Sequence, residues 1–335
     1  MIICPGRIVG FFHSETMEEA VMDMTGKKKT ARHAELVKQV KKNIPFYLFL
    51  APALILVIIF CYFPMWGIVI AFKDYKMARG ILGSEWVGLF HFKKIFSDPN
   101  FYRVLGNTIK ISVLTLVTSF PVTIVFALLV NEIMNMKFKR VVQTITYMPH
   151  FLSWVVVTAL IWAFLSFDKG LLNSLLEFFG KDPHQWYMEP KLWPPFLIFM
   201  YMWKNLGYSM VVYLATITGI DKTYYEAAGI DGATVWQQMR YVTLPLMKTV
   251  IIMMFIMAVG RIFYSDFGLF YQVPRDSNSL YNVSYTLDVF VFKQLKSSTT
   301  GMASAAAFVQ SVAGCITILT ANAVVRKVDR DSAMI

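Results

Sequence analysis

The chain has 335 residues, of which 56% are hydrophobic and only 16% charged, against about 25% charged in an average soluble domain, and its mean hydropathy is +0.52. Its 28 Phe, 16 Tyr and 8 Trp exclude a disordered chain, and its three Cys exclude a disulfide scaffold. The net charge of +11 suggests a nucleic-acid binder, but the charges sit between long apolar stretches rather than on one face, so composition indicates a polytopic membrane protein with no nucleic-acid partner.

No basic run precedes an apolar core near the start, so the first residues do not read as a secretory leader; Met17 and Met24 are alternative starts. Lys27, Lys28, Lys29, Arg32, Lys38, Lys41 and Lys42 then stand against Glu35 alone, just before the first apolar stretch. A basic flank of this kind belongs in the cytoplasm. A helix needs about 20 residues to cross a bilayer. Stretches of that kind occur near 45–72, 108–131, 145–166, 194–217, 247–268 and 303–325. The first holds Pro52 and Pro64, which predict a kink or break. Six crossings return the C-terminus to the cytoplasm, where Arg326, Lys327 and Arg330 agree. The overall Lys/Arg bias is modest and the loop 73–107 is basic, so orientation rests mainly on the N-terminal run. The expected division is a basic cytoplasmic segment (1–43), a first transmembrane helix with its external loop (44–107), a core of five transmembrane helices (108–325) and a cytoplasmic tail (326–335).

Catalytic and nucleotide motifs are missing. There is no G-x-x-x-x-G-K-[ST], no H-E-x-x-H and no G-x-S-x-G, and the five His are scattered. The chain reads as a non-enzyme with no metal or cofactor of its own, and any ATP-driven work falls to another subunit.

The loop 220–248, between the fourth and fifth stretches, is distinctive. It reads Tyr224-Tyr225-Glu226-Ala227-Ala228-Gly229-Ile230-Asp231-Gly232 and closes on Val242-Thr243-Leu244-Pro245. Thr223 and Glu226 have the spacing of a capping box, so a helix can start here. Ala227 and Ala228 keep one side thin, and Gly229 and Gly232 permit a sharp turn. Asp231 can cap a second helix running through Trp236, and Pro245 ends it. The product is a short helix-turn-helix at the membrane face, suited to docking.

Glu-Ala-Ala, three residues, Gly, nine residues, an aliphatic residue, one residue, Leu-Pro resembles the conserved loop of membrane subunits in binding-protein-dependent ABC importers. Val242 stands where that family usually has Ile. Trp66 to Tyr75, Trp86 to Leu89, Tyr147 to Trp154, Trp203-Lys204-Asn205, Gly260 to Tyr271 and Ala305 to Lys327 look like the branch for complex oligosaccharides and polysaccharides. The chain is more similar to the maltose importer's first membrane subunit than to its second, without the two extra spans and large external domain.

The resemblance implies an all-α integral membrane protein of the bacterial plasma (inner) membrane. It implies a type I ABC importer permease fold with six transmembrane helices and both termini cytoplasmic. The implied partners are a second permease, two ATPase subunits that bind ATP and Mg, and an extracytoplasmic sugar-binding protein. Carried over, Glu226, Ala227, Ala228 and Gly232 would form the contact with the ATPase, and Leu244 and Pro245 would lead into the fifth span.

Lys204 and Arg261 fall inside expected spans, at a cost of about 2.5–3.5 kcal/mol each near a helix centre. Each needs water, an acid or carbonyls. They are expected to line a sugar path, or else to brace helices. Asn205, Tyr208 and Tyr213, with Trp203, and Tyr264 in the fifth span pair a polar group with an apolar body that suits a sugar ring; the alternative is packing or interfacial anchoring. The hydroxyl residues Thr115, Thr118, Ser119 and Thr123, and the run Ala303 to Ala307 with Ser311, Ala313 and Gly314, read as helix-packing surfaces. The alternative function is an ion-gradient-driven secondary transporter, for which no internal repeat or intramembrane acid is evident.

Overall fold

The computed structural model describes residues 38–328 apart from Val40 and Ser298. The expectations for the basic run before Lys38 and for Arg330 lie outside the described residues. The chain divides into two compact units, one up to Trp66 and one from Gly67 onward.

The first unit is helix α1 (Ile44–Val57) and its continuation. The expected break at the prolines is absent. The helix runs on through a π turn at Ile58–Tyr62 and a 3-10 run at Phe63–Phe72.

The second unit opens with a two-stranded antiparallel hairpin, β1 (Lys73–Asp74) and β2 (Glu85–Trp86), and helix α2 (Phe90–Phe96). Helix α3 (Pro99–Asn131) begins nine residues before the expected 108. Asp98 caps it by accepting from the Asn100 N–H at 2.9 Å, with Pro99 in the first turn. Its 33 residues extend for about 50 Å.

The stretch 145–166 is not one helix. It is α4 (Met136–Tyr147), a 3-10 turn (Met148–Phe151) and α5 (Trp154–Leu165), bent by 98°. Pro149 lacks the N–H that would continue α4, and Ser153 caps α5 through the Val156 N–H. After α6 (Leu171–Phe178) comes α7 (Trp193–Thr218), which agrees with 194–217. Then follow α8 (Lys222–Ile230), the short α9 (Val235–Gln238) and α10 (Lys248–Gly260). The fifth stretch was expected to reach 268, but the helix stops at Gly260, and α11 (Phe267–Gln272) starts afresh with Asp266 capping the Leu269 N–H. Helices α12 (Leu287–Lys296) and α13 (Thr300–Val328) complete the unit.

Among the described residues, three helices are long and apolar enough to cross a membrane, or five if each bent pair counts as one crossing. Helix α7, 26 residues long, is not among them, because Lys204 and Asn205 interrupt its apolar run.

Two buried clusters hold the second unit. One gathers Phe101, Val104 and Ile111 of α3, Trp193 and Leu197 of α7, and Leu269, Phe290 and Ala305. The other gathers Ala127, Leu128 and Val130 of α3 with Met210, Tyr213 and Ile217 of α7, Met239 and Met247. The clusters occupy opposite ends of α3 and α7, which leaves the middle of both helices between them. Val117, Val122, Val125 and Leu129 of α3 and Ile316, Leu319 and Val324 of α13 are exposed. Such a continuous apolar exterior suits hydrocarbon rather than water.

Candidate functional site

The middle of α3, α7 and α10 encloses a cavity of about 680 Å³. Its wall follows helical periodicity. Ile111, Ser112, Thr115, Leu116 and Ser119 come from α3, Tyr201 and Asn205 from α7, and Met254, Met257 and Ala258 from α10. Residues three and four apart share a helix face, so each helix offers one stripe to the space. Arg261, Tyr264, Ser265 and Asp266 close it from the non-helical segment after Gly260. A smaller space of about 140 Å³ shares Leu116, Ser119, Tyr201, Asn205, Met254 and Ala258, and reaches Thr123 and Tyr213.

Of the residues singled out on the path, Asn205, Arg261 and Tyr264 border the larger space and Tyr213 the smaller. Arg261 is not inside a helix; it follows Gly260 as the cap of α10. Among the described residues, no hydrogen bond or ion pair engages its guanidinium. Asp266, the nearby acid, is committed elsewhere. Its Oδ2 accepts from Trp154 Nε1 at 2.9 Å and its Oδ1 from the Leu269 N–H at 3.2 Å.

Lys204 and Tyr208 border neither space. Lys204 is 7% exposed and its ammonium donates to the carbonyls of Pro149 (3.3 Å), His150 (2.8 Å) and Leu152, with the Trp154 ring centroid 5.3 Å away. It therefore ties α7 to the bend between α4 and α5. Gly207, one turn on, brings α7 against the end of α4; a Cβ there would lie 2.3 Å from the Thr146 carbonyl oxygen. Tyr208 stacks on His150, with centroids 4.1 Å apart and planes within 4°.

Sequence reasoning missed Tyr201, Ser112, Ser265 and the cavity face of α3. Thr115, Ser119 and Thr123, taken as packing residues, border the spaces, whereas Thr118 is exposed on another face. The signal was their four-residue spacing, which sets three hydroxyls in one row. The small residues of α13 do pack within the chain, since Ala305 and Ala306 are fully buried, and a Cβ on Gly314 would sit 3.1 Å from the Tyr264 ring.

The loop after α7 is the second feature. Asp221, not Thr223, caps α8, accepting from the Thr223 N–H at 3.0 Å; these hydrogen bonds hold its carboxyl below the ordinary value. A capping box exists, but at Thr234 and Gln237, which start α9. Asp231 instead closes α8. Gly232 makes the turn with φ +77°, a conformation natural to glycine. Pro245 does not end the second helix, which continues through a π turn at Met239–Thr243 and a last turn at Leu244–Leu246 before a 66° bend into α10. Tyr225 Oη lies 3.0 Å from Thr243 Oγ1 and joins the two arms. Glu226 and Ala227 are exposed, as are Tyr224, Ile230, Val235, Trp236 and Tyr241. The exposed face of this loop thus sets aromatic and aliphatic side chains beside the Glu226 carboxylate.

Comparisons with known proteins place the chain in a family. Residues 119–330 match the family described as binding-protein-dependent transport system inner membrane component. A polygalacturonan/rhamnogalacturonan transport system permease protein of Bacillus subtilis is 38% identical over 90% of this chain and 93% of its own length. Protein LplB of the same species is 33% identical over 87% of this chain and 91% of its own. Among solved structures, a bacterial ABC transporter involved in import of the acidic polysaccharide alginate superposes with a TM-score of 0.78, at 31% identity, over 88% of this chain and 99% of the other. The bacterial alginate ABC transporter in complex with an alginate pentasaccharide-bound periplasmic protein gives 0.77, at 32% identity, over 87% and 97%.

Proposed function

The chain belongs to the family of binding-protein-dependent transport system inner membrane components, and from that premise we propose that it carries an acidic oligosaccharide through the 680 Å³ cavity. The observation that carries this reading is the pairing of charges at the cavity wall. Arg261 offers a guanidinium with no acid partner among the described residues, while Asp266 accepts from Trp154 and from the Leu269 N–H. A sugar carboxylate fits that guanidinium with two parallel hydrogen bonds. The relatives named for polygalacturonan and alginate are consistent with such a cargo.

In this proposal six crossings are made by α1, α3, the α4–α5 pair, α7, α9–α10 and α13, with both termini cytoplasmic. Helix α7 is the fourth of these, its Lys204 shielded by carbonyls rather than lipid. The loop bearing Glu226, Ala227, Ala228 and Gly232 docks on an ATPase subunit, which binds ATP and Mg, and Leu244 and Pro245 pass the motion to α10. A second permease completes the membrane pathway, and an extracytoplasmic binding protein delivers the saccharide. Tyr201, Asn205 and Tyr264 serve the sugar's hydroxyls and ring faces.

The test is uptake by the assembled complex in liposomes containing ATP. Trigalacturonate, trimannuronate and maltotriose are compared at equal concentration. Uptake of either acidic trisaccharide at ten or more times the rate of maltotriose, reduced to near parity by Arg261→Met, is expected. Equal uptake of all three, or no effect of Arg261→Met, would remove Arg261 from the path.

A further inference from the structure

Arg261 and Tyr264 reach the cavity from a segment that is neither helix nor strand, residues 261–266, and such a segment needs an external frame to hold its side chains in place. The frame is unusually complete on one side. Asp288, at the start of α12, accepts from the Ser265 N–H at 2.6 Å and from Ser265 Oγ at 2.7 Å through Oδ2, and from Gln310 Nε2 at 3.0 Å through Oδ1. Gln310 Nε2 also donates to the Phe263 carbonyl at 2.8 Å. Ser265 Oγ lies 2.8 Å from the fully buried Thr286 hydroxyl. One carboxylate thus joins the segment to α12 and α13 together. The remaining contacts are single. Ser112 Oγ donates to the Tyr264 carbonyl at 3.2 Å, and Tyr264 Oη to Ser311 Oγ at 3.2 Å.

We propose that Asp288 is a positioning residue for the saccharide path, fixing the segment that presents Arg261 and Tyr264 to the cargo. The proposal rests on the importer reading given above. Asp288 borders neither space described above; it acts on Ser265 directly and on Phe263 through Gln310. Its ionised carboxylate supplies only acceptors, and all its partners arrive as donors. Asparagine has the same shape but a single acceptor oxygen. Whichever way its amide turns, an N–H faces either the Ser265 N–H or the Gln310 Nε2–H. Either the Ser265 N–H loses its acceptor or Gln310 Nε2 keeps only the Phe263 carbonyl, so the hold on the segment weakens.

Two readouts test this in the purified importer complex. The first is amide hydrogen exchange. Asp288→Asn is expected to speed exchange across 262–267 at least tenfold while the middle of α3 and of α7 keep their wild-type rates; a general loss of stability would raise exchange everywhere. The second is the ratio of trigalacturonate to maltotriose uptake at saturating binding protein. Fewer active complexes lower both rates and leave the ratio alone, whereas a displaced Arg261 lowers the ratio. Asp288→Asn is expected to cut it as far as Arg261→Met does, and the double mutant no further, since both act through one group. Wild-type exchange in the segment, an unaltered ratio, or additive losses in the double mutant would overturn the proposal. If Asp288→Asn does not assemble, Ser265→Ala removes the hydroxyl bonds alone, and unaltered exchange in that variant overturns the proposal equally. A wild-type complex that shows no preference between the two saccharides would refute the acidic-sugar reading, and the exchange result would still decide whether Asp288 holds the segment.

Discussion

Lys204→Met separates a structural brace from a transport residue. Methionine keeps the unbranched stem and removes the ammonium. Three carbonyls lose a donor, but Pro149 O also accepts from the Leu152 N–H at 3.2 Å. Among the described residues, His150 O and Leu152 O are left with none. Both acceptors are partly buried, so each falls at the low end of the penalty for an unsatisfied group, about 1 kcal/mol, and the pair costs about 2 kcal/mol. With an unfolding entropy of about 2.1 cal/mol/K per residue, a chain of 335 residues loses stability at roughly 0.7 kcal/mol per degree near its midpoint. The expected fall in melting midpoint is therefore about 3 °C. The assay is thermal unfolding of the purified complex, followed by loss of the monodisperse peak on gel filtration, with ATP-dependent uptake measured below the transition. Uptake per surviving complex is expected to stay within about twofold of wild type. A midpoint within 1 °C of wild type combined with lost uptake would refute the brace and place Lys204 on the saccharide path.

Gly207→Ala tests the same contact from the backbone side. Its Cβ would meet the Thr146 oxygen at 2.3 Å and the Tyr147 nitrogen at 2.8 Å, and such overpacking costs about 3 kcal/mol, so the midpoint should fall by about 4 °C; no shift would mean that α4 and α7 are not so close. Gly232→Ala meets no neighbouring atom within 4 Å but must hold φ +77°, at a cost of about 1–2 kcal/mol confined to the loop. Membrane insertion should be normal while uptake and recovery of the ATPase subunit fall several-fold; full recovery of both would dissociate this turn from coupling.

The parts of the fold legible in the sequence are those where hydropathy and chain geometry say the same thing. Helix α7 has Pro194 and Pro195 near its start and Gly219 just beyond its end, and its bounds differ by one residue from those expected. The stretches 145–166 and 247–268 read as single helices because an average over 20 residues passes across a short turn, even one that carries Arg261, Ser265 and Asp266. Local signals for both turns were present. Ser153 stands three residues before Val156, and Asp266 three before Leu269, each the spacing of an N-cap. In the loop after α7, the true capping box lay at Thr234 and Gln237 rather than Thr223 and Glu226. Of the cavity, the residues with large polar side chains drew attention, and the hydroxyl row of α3 did not, because Thr and Ser in an apolar helix pack and line with equal ease.

The remaining gap has one physical origin. Hydrocarbon offers no hydrogen bonds, so a helix broken at membrane depth must find partners for the backbone groups it frees. Both breaks are served from neighbouring helices, the first by Lys204 and the second by Asp288, Gln310 and Ser112. A sequence shows the polar side chain and hides the broken backbone opposite it. An isolated cation in an apolar run therefore reads as a binding residue whether it serves cargo or carbonyls. Lys204 and Arg261 looked alike in sequence for that reason. They part only when carbonyls are counted: Lys204 reaches three, whereas the Arg261 side chain reaches none among the described residues. A flexible ammonium with three donors suits a cluster of carbonyls, and a planar guanidinium suits a carboxylate. In the proposed reading the two cations divide the work of the site: Lys204 holds the bend that seats Trp154 against Asp266, and Arg261 is left for the cargo.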